Sequence, residues 1–194
     1  MDNLIKIYDD AVPSDFCDSL VEKFEKSSDQ WDVQSNTNYD FTQIDMGKHM
    51  KDWGADFGEL LNHLFACVGK YKEDIKPSWP DKHGFESPRI KRYMPNDTDE
   101  FRNHVDVNTN KNCVRFLVFF LYLVDNEAGQ TVINPIGGDQ VISPCKKGSV
   151  LCFPPMWTHP HAGLKPVRDP KYIVGSYLHY ACTLRESERC RTSN

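Results

Sequence analysis

The chain has 194 residues, of which 39% are hydrophobic and 12% aromatic, and this suits one domain, 1–194, with a substantial core. The net charge of −5 and the lack of a basic tract argue against nucleic-acid binding, because clustered cations are needed to neutralise a phosphate backbone. No basic segment precedes an apolar one at the start, and the apolar run 116–124 is too short to span a bilayer as a helix. We therefore expect neither a secretory signal nor a membrane partner.

The cysteine content also predicts a protein that is not secreted. Seven are present, with no CxxC pair, and several lie in apolar runs typical of strands. Without a secretory signal, such thiols are expected to stay reduced, and buried inert thiols are the usual reading. We expect a cytoplasmic protein, and the oligomeric state is left open.

The first part of the chain, 1–86, is predicted to be mostly helical. The alternating segment 4–8 predicts an edge strand, and Ser14 is a plausible N-cap for an amphipathic helix of about three turns. The polar stretch 27–45 is interpreted as a loop with room for an extended piece. Apolar residues at helical spacing over 57–68 predict a second helix.

The second part, 87–182, has the pattern of a strand-rich core. Short runs rich in β-branched and aromatic residues alternate with Gly- and Pro-containing turns. Many short strands at this spacing indicate a sandwich or barrel, with the helices packed against one sheet in an α+β domain. The predicted strands are 89–93, 114–124, 131–133, 140–142, 150–153 and 172–180.

One group of residues suggests a metal site. His104 and Asp106 stand two positions apart, so an extended strand would point both side chains to the same face. Together with a distal histidine, they form the two-imidazole, one-carboxylate ligand set of non-haem Fe(II) oxygenases, although Mn(II) fits the same donors. His161 is the preferred distal ligand and His159 the alternative. An HxD pair on its own also occurs at strand edges without any function.

A cation for an acidic co-substrate follows the distal histidine. Lys171 lies ten residues past His161 and begins an alternating strand, which we expect to run beside the strand that carries the histidine. The alternative reading is an ordinary solvated lysine, and Arg168 is the nearest rival cation.

In this order, the residues resemble the 2-oxoglutarate/Fe(II)-dependent dioxygenase superfamily, and within it the prolyl 4-hydroxylase-like branch. The similarity covers roughly residues 87–180. It includes Tyr93 ahead of the HxD pair, Arg115 at the start of the long apolar strand, and the Lys-Gly-x-x-x-x-Phe-Pro segment at 147–154. Tyr177 departs from the branch, which commonly has tryptophan at that position.

The resemblance implies a double-stranded β-helix, or jelly roll, and a hydroxylase of the procollagen-proline 4-dioxygenase type. It implies Fe(II) as cofactor, 2-oxoglutarate and O2 as co-substrates, and ascorbate as a reductant. Lys171 and Tyr93 would hold 2-oxoglutarate. We interpret Trp157, Tyr177 and Arg115 as candidates for the substrate pocket, with packing in the core or at the rim as the alternative for the two aromatics.

The substrate implied by the resemblance is a prolyl residue in a peptide or protein. Three alternatives stay open. One is a free amino acid or small metabolite. Another is oxidative demethylation of nucleic acid, which the acidic charge disfavours. The last is a catalytically silent jelly roll that binds a ligand.

Overall fold

Two helices pack on a large sheet in residues 4–181, the part of the chain that this computed structural model describes. Helix α1 is Ser14–Lys26 and helix α2 is Met50–Ile75, and short 3-10 turns lie at Ser28–Gln30 and Met46–His49. Pro13, not Ser14, occupies the N-cap position of α1, so that predicted cap is wrong by one residue. Within residues 4–181, neither helix is both long and apolar enough to cross a membrane.

The strands of the described residues form one antiparallel sheet. Their bounds are β1 (Lys6–Tyr8), β2 (Asp32–Ser35), β3 (Tyr39–Asp45), β4 (His83–Phe85), β5 (Arg89–Tyr93), β6 (Glu100–His104), β7 (Arg115–Tyr122), β8 (Asn126–Ile133), β9 (Val141–Cys145), β10 (Val150–Phe153), β11 (His161–Gly163) and β12 (Lys171–Tyr180).

The strand order is β1-β10-β7-β12-β5-β3-β6-β11-β8-β9, with β2 paired to β3 and β4 paired to β12. The sheet curls into a nearly closed, barrel-like jelly roll, and the helices lie outside it. The predicted α+β fold with a double-stranded β-helix core is confirmed.

Alternation along β7 separates two apolar cores. Leu117, Phe119 and Leu121 face the helices, where they pack with residues of α1 and α2. The intervening side chains face the barrel interior, as expected for a strand covered on both sides. They are Val118, Phe120 and Tyr122. This arrangement explains the near-continuous apolar run in the sequence, and it orients the interior face toward the candidate site.

The segment interpreted as a polar loop contains two strands. Residues 27–45 contain the β2–β3 hairpin, and β3 lies inside the sheet between β5 and β6. In β3, Phe41 and Ile44 are the fully buried positions, so its apolar pattern is too sparse for sequence periodicity to detect. The first 86 residues therefore contribute strands to the barrel as well as helices.

Candidate metal centre and active site

Three potential ligands converge at one end of the barrel. His104 is the last residue of β6 and His161 the first of β11, and the two are directly opposite each other in the antiparallel pairing. Asp106 follows two residues after β6. Their donor atoms all lie within 4.8 Å of one another; Asp106 Oδ1 is 3.5 Å from His104 Nε2, and Asp106 Oδ2 is 3.2 Å from His161 Nε2.

The protonation of the two imidazoles suits metal binding. His104 Nδ1 lies 2.7 Å from the carbonyl oxygen of Arg102, and His161 Nδ1 lies 3.1 Å from that of His159. Because a carbonyl oxygen only accepts, each Nδ1 donates a hydrogen bond to its carbonyl, which leaves Nε2 as the ring nitrogen directed at the centre.

The donor atoms that face the centre are unused by the protein. Among residues 4–181, both Nε2 atoms and Asp106 Oδ2 are buried without a hydrogen-bond partner. Buried polar atoms are normally paired, so three such atoms on one centre fit a divalent metal ion that accepts all of them. His159 is also buried, but its Nδ1 lies against Thr158 Oγ1, and it is not part of this cluster.

The carboxylate of Asp106 is held in place by a tyrosine. The hydroxyl of Tyr177 donates to Asp106 Oδ1 at 2.9 Å, which leaves Oδ2 for the metal. The Arg115 guanidinium lies 3.9 Å from the centre of the Tyr177 ring, and Glu86 accepts from Arg115 at 2.6 and 2.7 Å. This chain of contacts fixes the orientation of a metal ligand, as partners behind metal ligands generally do.

The pKa of Asp106 reflects two opposing effects. Burial raises it, but the nearby imidazoles of His104 and His161 outweigh burial, so the pKa lies below its ordinary value. The carboxylate is therefore ionised over the whole physiological range and available as an anionic ligand.

Lys171 and Tyr93 lie deeper in the barrel. They face each other across the β12–β5 pairing, with the Lys171 ammonium 5.3 Å from the centre of the Tyr93 ring, and both are almost fully buried. Burial lowers the pKa of Lys171. Both residues line a narrow cavity that also contacts His104 and His161. The cavity thus joins the metal-facing atoms to a buried cation, as a small dianion would require.

The path by which Lys171 reaches this cavity differs from the expectation. Strand β12 pairs with β7, β5 and β4, and not with β11. The lysine instead reaches across the barrel interior: a Cβ atom placed on Gly163 of β11 would lie 3.6 Å from its Nζ. Gly129, at φ +70°, also packs against the Lys171 side chain, because a Cβ atom placed on Gly129 would lie 3.1 Å from Lys171 Cδ.

An open groove of about 620 Å³ leads from the metal ligands to the surface. One wall comes from the β2–β3 hairpin and the other from β5 and the segment after β6. Arg115 and Tyr177 line this groove. Trp157 does not: its side chain is 67% exposed in the turn before β11, and the expectation that it lines the pocket is not supported.

Residues 88–179 match the sequence profile of the 2OG-Fe(II) oxygenase superfamily, and the match spans His104, Asp106, His161, Tyr93 and Lys171. This segment belongs to that superfamily. The predicted family is therefore confirmed, and membership implies Fe(II) and 2-oxoglutarate.

Proteins similar to this chain include known hydroxylases. The chain is 28% identical over 176 residues to the multifunctional procollagen lysine hydroxylase and glycosyltransferase LH3 of Rattus norvegicus, of which it spans 22%. In structure it resembles the viral collagen prolyl hydroxylase of Paramecium Bursaria Chlorella virus-1, with a TM-score of 0.68, 18% identity, and coverage of 93% of this chain and 98% of the other. It also resembles a prolyl hydroxylase of Trichoplax adhaerens bound to a hypoxia inducible factor peptide, with a TM-score of 0.72, 17% identity, and coverage of 100% and 89%.

The sequence interpretation missed one charged residue of the candidate site. Lys91 lies on β5, lines both the groove and the inner cavity, and is only 9% exposed. The signal was available: Lys91 and Tyr93 are two positions apart on a strand, so they share a face. Ile90 and Arg92, at the intervening positions, pack toward the helices.

Proposed function

We propose that the chain is a 2-oxoglutarate- and Fe(II)-dependent hydroxylase of an aliphatic C–H bond, and that its substrate is a prolyl residue in a peptide or protein. One observation carries the proposal. Two imidazole nitrogens and one carboxylate oxygen, all buried and unused by the described part of the chain, meet between a cavity that ends at Lys171 and a groove open to solvent.

Each residue then has a defined task. His104, Asp106 and His161 hold the metal, which when bound supplies the centre where 2-oxoglutarate and O2 are consumed to give succinate, CO2 and the hydroxylated product. Lys171 neutralises the far carboxylate of 2-oxoglutarate, and Tyr93 donates a hydrogen bond to the same group.

The apolar lining of the cavity has a task of its own. The Phe101 ring stacks on His104 with centroids 3.6 Å apart, and Phe120 and Ile173 also line the cavity. Apolar side chains around the metal-facing atoms exclude water from the place where a reactive site would form, which prevents side reactions. The substrate C–H bond would approach from the groove side.

The substrate proposal draws on the relatives and on the groove. The Trichoplax protein binds a peptide, and the relatives named above include prolyl and lysyl hydroxylases of protein chains. The groove is open and largely polar, which suits an extended peptide. A free amino acid or small metabolite is the second candidate, and the buried ammonium of Lys91 in the groove favours it.

The test is succinate release from 2-oxoglutarate, with Fe(II) and ascorbate, in the presence of proline-containing peptides or free proline. The product is checked by mass spectrometry for the gain of one oxygen atom. We expect Asp106→Ala to abolish succinate release, because it removes the anionic ligand. Asp97→Ala, at an exposed loop position, is the matched control and should keep wild-type activity.

Other outcomes would contradict specific parts of the proposal. Wild-type succinate release by Asp106→Ala would show that the metal site is wrongly assigned. A wild-type protein that never releases succinate would support the silent, ligand-binding jelly roll. Oxygen gain on free proline but on no peptide would replace the prolyl-peptide substrate with the free amino acid.

A further inference from the structure

The active-site groove contains a buried cation that the chemistry proposed above does not use. Lys91 projects from β5 between two aromatic rings, with its Nζ 4.8 Å from the centre of Phe41 and 5.4 Å from the centre of Phe101. Phe101 in turn stacks on the metal-facing His104. The ammonium therefore lies beside the place where a substrate must meet the metal.

Three other charged groups of the groove wall have partners. Arg89 pairs with Asp45 at 3.4 Å and Arg115 with Glu86 at 2.6 Å. Asp32 accepts a hydrogen bond from Gln43 at 3.0 Å.

Lys91 differs from them. Within residues 4–181, neither a salt bridge nor a hydrogen bond engages its ammonium, and the carboxylate that attracts it electrostatically is that of Asp106, a proposed metal ligand. A largely buried charge that no described protein group pairs, and that faces an open groove, is placed to be paired by a bound anion.

The net charge of the site with metal and 2-oxoglutarate bound also favours an anionic substrate group. A divalent metal, the Asp106 carboxylate, the 2-oxoglutarate dianion and the Lys171 ammonium together carry no net charge. The Lys91 ammonium then remains as one uncompensated positive charge in a low-dielectric cavity. A singly charged anion on the substrate would balance it.

We propose that Lys91 is a specificity-determining residue that binds a carboxylate of the substrate, close to the carbon that is hydroxylated. This inference rests on the proposed hydroxylase function. The carboxylate has two sources: the α-carboxylate of a free or C-terminal amino acid, or the side chain of an aspartate or glutamate next to the target residue in a peptide. An ammonium is a compact point charge, so either source would satisfy it.

The test compares matched acid and amide probes. Free L-proline is paired with L-prolinamide, and proline-containing peptides with a neighbouring Asp or Glu are paired with the same peptides carrying Asn or Gln. Binding is measured by calorimetry on wild-type protein loaded with Fe(II) and 2-oxoglutarate under anaerobic conditions, where no turnover occurs. We expect the acid of at least one pair to bind about 10- to 100-fold more tightly than its amide, the range for a hydrogen bond to a charged group.

Lys91→Met then links the preference to the side chain. The variant should lose the acid-over-amide preference and raise KM for the acidic substrate by the same factor, while KM for 2-oxoglutarate stays unchanged. Lys51→Met, at an exposed position of α2 outside the groove, is the control and should keep the preference.

Three results would overturn the proposal. They are equal binding of acids and amides by the wild-type protein, retention of the preference in Lys91→Met, and an increase of KM for 2-oxoglutarate in place of the substrate. The wild-type acid and amide comparison needs no variant, so it stands even if Lys91→Met does not fold. Failure of the proposed function is seen separately, as the absence of Asp106-dependent succinate release.

Discussion

Replacing Lys91 by methionine should make the protein more stable in the absence of ligands. Burial lowers the pKa of Lys91 from 10.5 to about 8. At about 1.4 kcal/mol for each pKa unit, this difference of about 2.5 units corresponds to a folding penalty of about 3.5 kcal/mol at neutral pH. The contacts of the ammonium with Phe41 and Phe101 offset part of the penalty. Methionine fills a similar space without a charge, so we expect a gain of about 1 to 2 kcal/mol.

The pH dependence identifies the cause. A lysine whose pKa is lowered by folding destabilises the native state below the folded pKa, and the penalty disappears as pH rises from about 8 to 10.5, because the folded state then loses a proton that the unfolded state keeps. The stability difference between Lys91→Met and wild type should therefore be largest at pH 7 and shrink toward pH 10.

Urea unfolding of the metal-free proteins measures this difference. At neutral pH the midpoint of Lys91→Met should lie about 0.5 to 1 M above that of wild type. Lys48→Met, which is exposed, should leave the midpoint unchanged. A variant that is no more stable than wild type, or whose advantage is the same at pH 7 and pH 10, would refute the view that Lys91 is a buried, unpaired charge.

Two further predictions concern the metal ligand and the backbone. Tyr177→Phe removes the hydrogen bond to Asp106 and should weaken metal binding about 10-fold in a competition titration. Tyr180→Phe, at a half-exposed position at the end of the same strand, is the control and should leave the metal affinity unchanged. Equal affinities of the two variants would mean that Tyr177 does not orient the carboxylate. Gly148→Ala should destabilise the protein more than Gly137→Ala in thermal unfolding. Both glycines have φ near +76°, but only at Gly148 would the new Cβ lie 2.5 Å from a backbone oxygen. If the two variants lose the same thermal stability, the positive φ alone explains the loss and the close contact at Gly148 contributes nothing.

The sequence was sufficient where side chains repeat a simple pattern. The long apolar run on β7 and the alternation on β12 were found because one or both faces of these strands are covered by apolar residues. The structure brings His104 and Asp106 together with His161, which lies 55 residues past Asp106 along the chain. Periodicity cannot predict such a contact. The two-residue spacing of His104 and Asp106 and the resemblance to a known family predicted these three ligands.

The sequence did not predict strand β3, the role of Lys91 or the neighbours of β12. Strand β3 turns polar residues toward the groove, so its sequence lacks the alternation of apolar and polar residues by which a strand is recognised. Lys91 was overlooked because a lysine on a strand is normally assigned to solvent. The neighbours of β12 depend on how the sheet closes, which no local pattern records, so Lys171 was expected beside β11 and instead reaches it across the interior.

The β2–β3 hairpin has a consequence for how such a protein can change during evolution. Residues 32–45 form one wall of the groove, yet they lie outside the segment 88–179 that matches the superfamily. The hairpin is attached through main-chain pairing of β3 with β5 and β6 and through the buried side chains of Phe41 and Ile44, so its polar, groove-facing positions are the ones open to change. Substitutions along this wall can therefore alter substrate choice while the inherited reaction centre stays intact, and exchanging the hairpin between relatives is a direct route to new selectivity.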